Sequence, residues 1–258
     1  MFAMTTALLL ALLAPATSAA EPETGDQVLA AAREVQSQIR DKTMRVTMRV
    51  VDPSGDERVK QLKGYEKRAA NGRKVLWQFE SPHELHGTGF LAWQNEGEAD
   101  SLWVFFPGQR RVRRVPPSLR RENFQGSMFT YEDLVAVFFL DYDGEHELEG
   151  IENCGDGQTC FVVSSVLDED SFAYDRLRAF IDKENLLPLR VEFFRGELLK
   201  TMDVTKVENI EGIPSIVRVE MQTPTSDSIT RVELDDVDYN EDLRDNLFTI
   251  RHLSQSGK

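Results

Sequence analysis

Four histidines, two cysteines and a surplus of carboxylates are the groups in this 258-residue chain from which catalysis or metal binding would have to be built. His83-Glu84-Leu85-His86 brings two imidazoles close together. It is one residue short of the H-E-x-x-H spacing that puts both on one helical face, and Pro82 disfavours a helix starting earlier. A solvated turn is the preferred reading, with a hydrolase or metal centre of His83, His86 and Asp141 as the alternative. Gly126-Ser127 lacks the second glycine of a nucleophile elbow, and Gly87-Thr88-Gly89 lacks the third glycine and following helix of a dinucleotide site. Asp141 with Asp143, and Asp168-Glu169-Asp170, fall at predicted turns between strands, where water solvates them. The sequence therefore points away from an enzyme and calls for no cofactor and no metal.

Cys154 and Cys160 enclose a short Gly-rich loop. In an oxidising compartment this spacing favours a disulfide stapling a hairpin tip. A metal or redox pair is the alternative, but the spacing is not C-x-x-C and no histidine is adjacent.

The chain carries a formal net charge of −14. That excludes nucleic acid as a partner, since phosphate contact needs a basic surface to release counterions. Against this background Arg110-Arg111-Val112-Arg113-Arg114 and Arg120-Arg121 form a basic island. Arginine forks suit phosphate headgroups or a partner's carboxylates. Pairing with the many surrounding acids is the competing reading, and parity puts Arg111 and Arg113 on the face opposite Val112.

Several strand-like runs are apolar on both faces: Val75, Leu76, Trp77 and Phe79; Leu102 to Phe106; Phe193 with Phe194. A half-buried sheet needs apolar residues on one face only. Either the second face packs on a helix, or it lines a cavity for an apolar ligand.

These groups must be positioned by a helix and many strands. Asp26 to Arg40 places Val28, Ala32, Val35 and Ile39 at helical spacing. The period then changes: Met44, Val46, Met48 and Val50 alternate with polar residues, and Asp52-Pro53-Ser54-Gly55 turns the chain into a second strand. Strand-like runs follow at 72–80, 88–93, 101–106 and 112–115, then at 145–151, 160–167, 174–181, 189–195, 200–209, 215–223 and 229–238. Alternation fails between Pro116 and Leu140, where a short helix or buried loop interrupts the meander. The acidic stretch Glu233 to Asp245 reads as a solvated strand end. One large curved antiparallel sheet with little helix is the simplest architecture.

Residues 1–20 hold an apolar run from Ala7 to Leu13, then Pro15 and small residues ending at Ala19 and Ala20, which reads as a secretory signal cleaved near Ala20. An uncleaved anchor is the alternative, although the run falls far short of the ~20 residues that span a bilayer. No cysteine lies at the cleavage site to take a lipid. Residues 21–258 then form one domain, with the membrane a transient contact.

Trp103-Val104-Phe105-Phe106-Pro107, the arginine run ending at Arg114, and Phe124-Gln125-Gly126-Ser127-Met128-Phe129-Thr130-Tyr131-Glu132-Asp133-Leu134 resemble the outer-membrane lipoprotein-sorting protein family, a LolA-like group. The order of the N-terminal helix, Phe79-Glu80-Ser81-Pro82, the cysteine pair and Ile181 to Leu189 agrees with it. Met128 stands where that text usually carries an acidic residue. The resemblance implies an α+β, mostly β fold: an incomplete antiparallel β-barrel wrapped around a few helices, with a hydrophobic cavity. It also implies a periplasmic carrier of lipid or lipoprotein acyl chains and an RND- or MMPL-type inner-membrane exporter as partner.

On this reading Val46, Met48, Trp77, Phe79, Phe105, Phe138 and Phe193 line the cavity, and Arg111 and Arg113 contact a headgroup or the transporter. The rival is a non-catalytic envelope interaction or sensing module with a filled core.

Overall fold

In this computed structural model residues 21–255 are described, except 71, 96–97, 136–139, 141, 156 and 169–171. The expected signal segment, Phe138 and Asp141 lie outside the described residues.

The chain opens with α1 (Gly25–Gln36), capped by Thr24, whose hydroxyl accepts from the Gln27 N–H while the Gln27 side chain accepts from the Thr24 N–H. Its buried face is Val28, Leu29 and Ala32. The helix ends before the expected Arg40. There the backbone N–H of Arg40 is taken by Asn240 Oδ1 at 2.8 Å and its carbonyl by the Arg68 N–H at 2.7 Å, bonds that a continued helix would forbid.

Six strands follow: β1 (Asp41–Val51), β2 (Glu57–Ala69), β3 (Gly72–Ser81), β4 (Gly89–Asn95), β5 (Glu98–Phe106) and β6 (Arg111–Arg114). A long connection, 115–144, contains the single-turn helix α2 (Pro117–Arg120) and a 3-10 turn at Phe124–Gly126. Seven more strands then run to the C-terminal region: β7 (Glu145–Gly155), β8 (Gln158–Val166), β9 (Arg176–Asp182), β10 (Pro188–Arg195), β11 (Glu197–Ile210), β12 (Ile213–Thr223) and β13 (Ser226–Tyr239). A final 3-10 turn (Asp245–Phe248) leads into α3 (Ile250–Leu253).

All strands join one 13-stranded sheet in the order β6-β5-β4-β3-β2-β1-β13-β12-β11-β10-β9-β8-β7. Every pairing is antiparallel and sequential except β1 with β13, which joins the two halves through pairs such as Val46 opposite Leu234 and Met48 opposite Val232. The sheet is curved and does not close: β6 and β7 are its edges. The 115–144 connection must therefore travel from one edge to the other. It crosses the concave side, because its Phe124, Phe129, Leu134 and Val135 share one core with inward residues from both halves of the sheet, such as Val46, Val75, Val163 and Phe193.

The second apolar face is explained by packing. Leu76, Leu91 and Phe105 are covered on the outside by Phe248 and Leu253 of the C-terminal segment, which is tied down by the Trp93 indole N–H donating to the Phe248 carbonyl at 2.9 Å. The stretch read as a solvated strand end is thus strand β13 as far as Tyr239, followed by a segment leading to this outer cover. Both edges carry charge, a common guard against edge-to-edge association: arginines on β6, and Glu145, Glu147, Glu149 and Glu152 on β7. Cys154 and Cys160 are bonded across the β7–β8 hairpin near its tip.

Candidate functional site: an apolar cleft beside a buried latch

At one end of the half-barrel the inner core does not fill its space. A cleft with a cavity volume of about 120 Å³ opens between the end of α1, strands β12 and β13, and the crossing segment. Its walls include Met44, Trp77, Leu134, Ile216, Val219 and Val232, and its mouth carries Gln36, Lys42, Glu66 and Arg218. Lys42 and Glu66 pair at 3.0 Å, largely shielded from water. Deeper, the Tyr239 hydroxyl donates to Ser215 Oγ at 2.7 Å, so this polar pair satisfies itself within an apolar wall. The indole N–H of Trp77 is buried and has no hydrogen-bond partner among the described residues.

Of the residues expected to line a cavity, Val46, Met48, Trp77, Phe79 and Phe193 are brought together in the concave core. Only Trp77 of these borders the open space; Val46, Met48 and Phe193 are wholly buried at 0% exposure and make up packed interior. Phe105 corrects the expectation: it faces outward, in the cluster beneath Phe248 and Leu253. Strand parity is the reason, since its neighbour Val104 takes the inward position. The cleft's own walls in β12 and β13 had been read as strands but not as lining, because they alternate normally and showed no excess of apolar residues.

Arg111 and Arg113 pair with Phe106 and Val104 across the β5–β6 ladder, which places them on the concave side of the sheet edge. Both are exposed, and the outer cluster takes Val112. Parity is therefore as expected. His83 and His86 are exposed in a turn, and no group of three or more His, Cys, Asp or Glu among the described residues is arranged to hold a metal ion.

A buried polar network fixes the crossing segment above the sheet. Lys200 Nζ of β11 donates to Asp133 Oδ2 at 2.5 Å and to the Met128 carbonyl at 2.9 Å. Asp133 also accepts from the Tyr174 hydroxyl at 2.8 Å and the Thr130 N–H at 2.7 Å. The Met128 N–H donates to Thr230 Oγ1 of β13 at 3.0 Å. Glu132 accepts from the Ala173 N–H at 3.0 Å, and its carboxyl is pushed up to about 7, chiefly by burial. Nearby, Phe124 packs its ring against Trp77, Phe79, Phe90 and Tyr131 at centroid distances of 5.2 to 6.0 Å. Sequence reasoning quoted Glu132 and Asp133 as part of a recognisable text but assigned them no partner.

An open, curved antiparallel sheet with few helices is a LolA-like fold. The chain matches a DUF1329 family protein from Desulfovibrio piger at 24% identity and TM-score 0.82, over 89% of this chain and 97% of that one. It matches a putative outer membrane lipoprotein-sorting protein domain from Vibrio parahaemolyticus at 24% identity and TM-score 0.80, over 89% and 99%. A LolA superfamily protein from Nitrosomonas europaea gives 22% identity and TM-score 0.70, over 90% and 100%. No curated protein matches significantly. A family model described as "Uncharacterized protein" matches residues 71–255, and the chain belongs to that family.

Proposed function

We propose that this protein is a non-catalytic periplasmic carrier that shelters an acyl chain of a lipid or lipoprotein and passes it between membranes. The apolar cleft between β12, β13 and Leu134 carries this reading. Each methylene withdrawn from water is worth ~0.8 kcal/mol, so an acyl chain gains affinity from burial alone and no reacting group is needed. The cavity of about 120 Å³ is near the ~150 Å³ of an engineered cavity that admits benzene. A longer chain therefore enters only as Leu134 and its segment lift and the flexible Met44 repacks. On this reading the carrier works in the periplasm with an RND- or MMPL-type inner-membrane exporter as partner, and Arg111 and Arg113 are its candidate contact.

Uptake of a fluorescent fatty acid tests the cleft. Ile216→Trp, which fills the space from a half-buried wall position, should lower affinity at least tenfold with little change in the unfolding midpoint. Equal uptake by both forms would contradict the assignment.

The closely packed part of the concave face favours a second reading. Val46, Met48 and Phe193 have no exposed surface, as in an interaction module whose core is filled and whose working surface is outside. Such a module takes up no acyl ligand.

A further inference from the structure

Next to the cleft lies a second, polar pocket of about 50 Å³, lined by Gln36, Ile39, Arg40, Asp41, Lys42, Glu66, Lys67, Arg68 and Arg73. The two cavities share Gln36, Ile39, Lys42 and Glu66, so a polar pocket and an apolar one lie on either side of the Lys42–Glu66 pair. The polar pocket gathers five arginines and lysines against two carboxylates, in a chain whose net charge is −14. That local inversion needs a reason.

Internal pairing accounts for part of it. Lys42 pairs with Glu66 at 3.0 Å, Lys67 with Asp245 at 3.2 Å, and Arg40 with Asp242 at 3.2 Å. The last pair is largely exposed, with side chains 64% and 81% accessible, so water screens it and a ligand can replace it easily. Arg68 is exposed and has no acidic partner among the described residues. Arg40 and Arg68 are also held in place by their backbones: the Arg68 N–H donates to the Arg40 carbonyl, and Asn240 accepts from the Arg40 N–H. The two residues thus stand opposite each other on neighbouring chain segments, so both side chains leave the same end of the sheet, and arginines suit bidentate recognition of phosphate.

We propose that this pocket is a headgroup site, and that the ligand is an amphiphile whose acyl chain enters the cleft while its phosphate rests among Arg40, Lys42 and Arg68. This rests on the carrier reading and narrows it to anionic, phosphate-bearing lipids. It also moves headgroup recognition away from Arg111 and Arg113 at the sheet edge, leaving that edge to a partner.

Calorimetric titration of the purified protein with lysophosphatidic acid, the monoacylglycerol of the same chain, and glycerol phosphate separates the contributions. The phosphate-bearing lipid should bind about tenfold tighter than the monoacylglycerol at low salt, with the margin shrinking as salt rises, and glycerol phosphate should bind far more weakly than either. In the Arg40→Gln/Arg68→Gln variant the two lipid affinities should converge. Equal affinities in the unaltered protein, or a preference that survives in the variant, would overturn the headgroup site while leaving the carrier intact. Glycerol phosphate binding as tightly as the lipid would mark an anion site unrelated to the cleft, which also overturns it. If neither lipid binds, the carrier reading fails and this site with it.

Discussion

Lys200 Nζ lies 2.5 Å from Asp133 Oδ2, with the side chains 8% and 1% exposed, and this pair joins the crossing segment to strand β11 of the sheet it covers. Met128, Thr130 and Tyr174 supply further hydrogen bonds, so neither charged group depends on the other alone. On the proposed carrier function, a latch of this kind holds the segment in place beside the cleft.

Removing one partner leaves the other charge buried and alone, a change that costs about 3–5 kcal/mol. Lys200→Met should lower stability in urea unfolding by that amount and speed the entry of a fluorescent fatty acid. Unchanged stability would show that the pair is not the latch described.

Glu132 gives the same segment a pH dependence. Burial drives its carboxyl up to about 7, the Ala173 N–H opposes the rise, and Asp133 adds to it. In the unfolded chain the group titrates near its ordinary 4.5, so between that value and 7 the folded state binds more protons. Stability therefore falls as pH rises through this window and levels off above it, by about 3 kcal/mol. Glu132→Gln should be more stable than the parent at pH 8 and equal to it at pH 4. A difference independent of pH would sink the assignment.

The disulfide between Cys154 and Cys160 closes a short loop at the end of an established hairpin, far from the cleft in the strand order. In the chain-entropy model such a loop contributes about 2 kcal/mol. Cys154→Ser/Cys160→Ser should lose that stability and keep ligand affinity. Loss of affinity would tie the β7–β8 hairpin to the site.

Arg111→Glu/Arg113→Glu reverses two exposed charges on an edge strand that has a neighbour on one side only. On the proposed function, transfer of bound lipid to or from membranes containing an RND- or MMPL-type exporter should fall at least tenfold, with lipid affinity of the isolated protein unaltered. Normal transfer would remove the edge from the mechanism.

Much of the fold was legible because strands announce themselves locally. Met44, Val46 and Met48 alternate with Arg45, Thr47 and Arg49, and β1 forms there. Contacts that depend on distant partners were not legible. Nothing near Val46 names Leu234 as its neighbour, and nothing near Asp133 names Lys200, because the pairing is set by assembly of the whole sheet. Phe105 was misplaced for a related reason. In a run where every residue from Leu102 to Phe106 is apolar, hydrophobicity does not distinguish the two faces, and the cover supplied by Phe248 and Leu253 lies far along the chain. The cleft was missed in detail because Ile216, Val219 and Val232 sit in strands of ordinary alternation. A cavity is a shortage of neighbours, and a pattern of residue types does not record it.

The most direct test of the carrier is native mass spectrometry of the protein purified from the cell envelope without detergent, followed by extraction and identification of whatever lipid it holds. A carrier should hold a bound acyl lipid at defined stoichiometry, lost in Ile216→Trp. A ligand-free mass, in a folded protein that also takes up no fluorescent fatty acid, would contradict it and leave the filled-core interaction module.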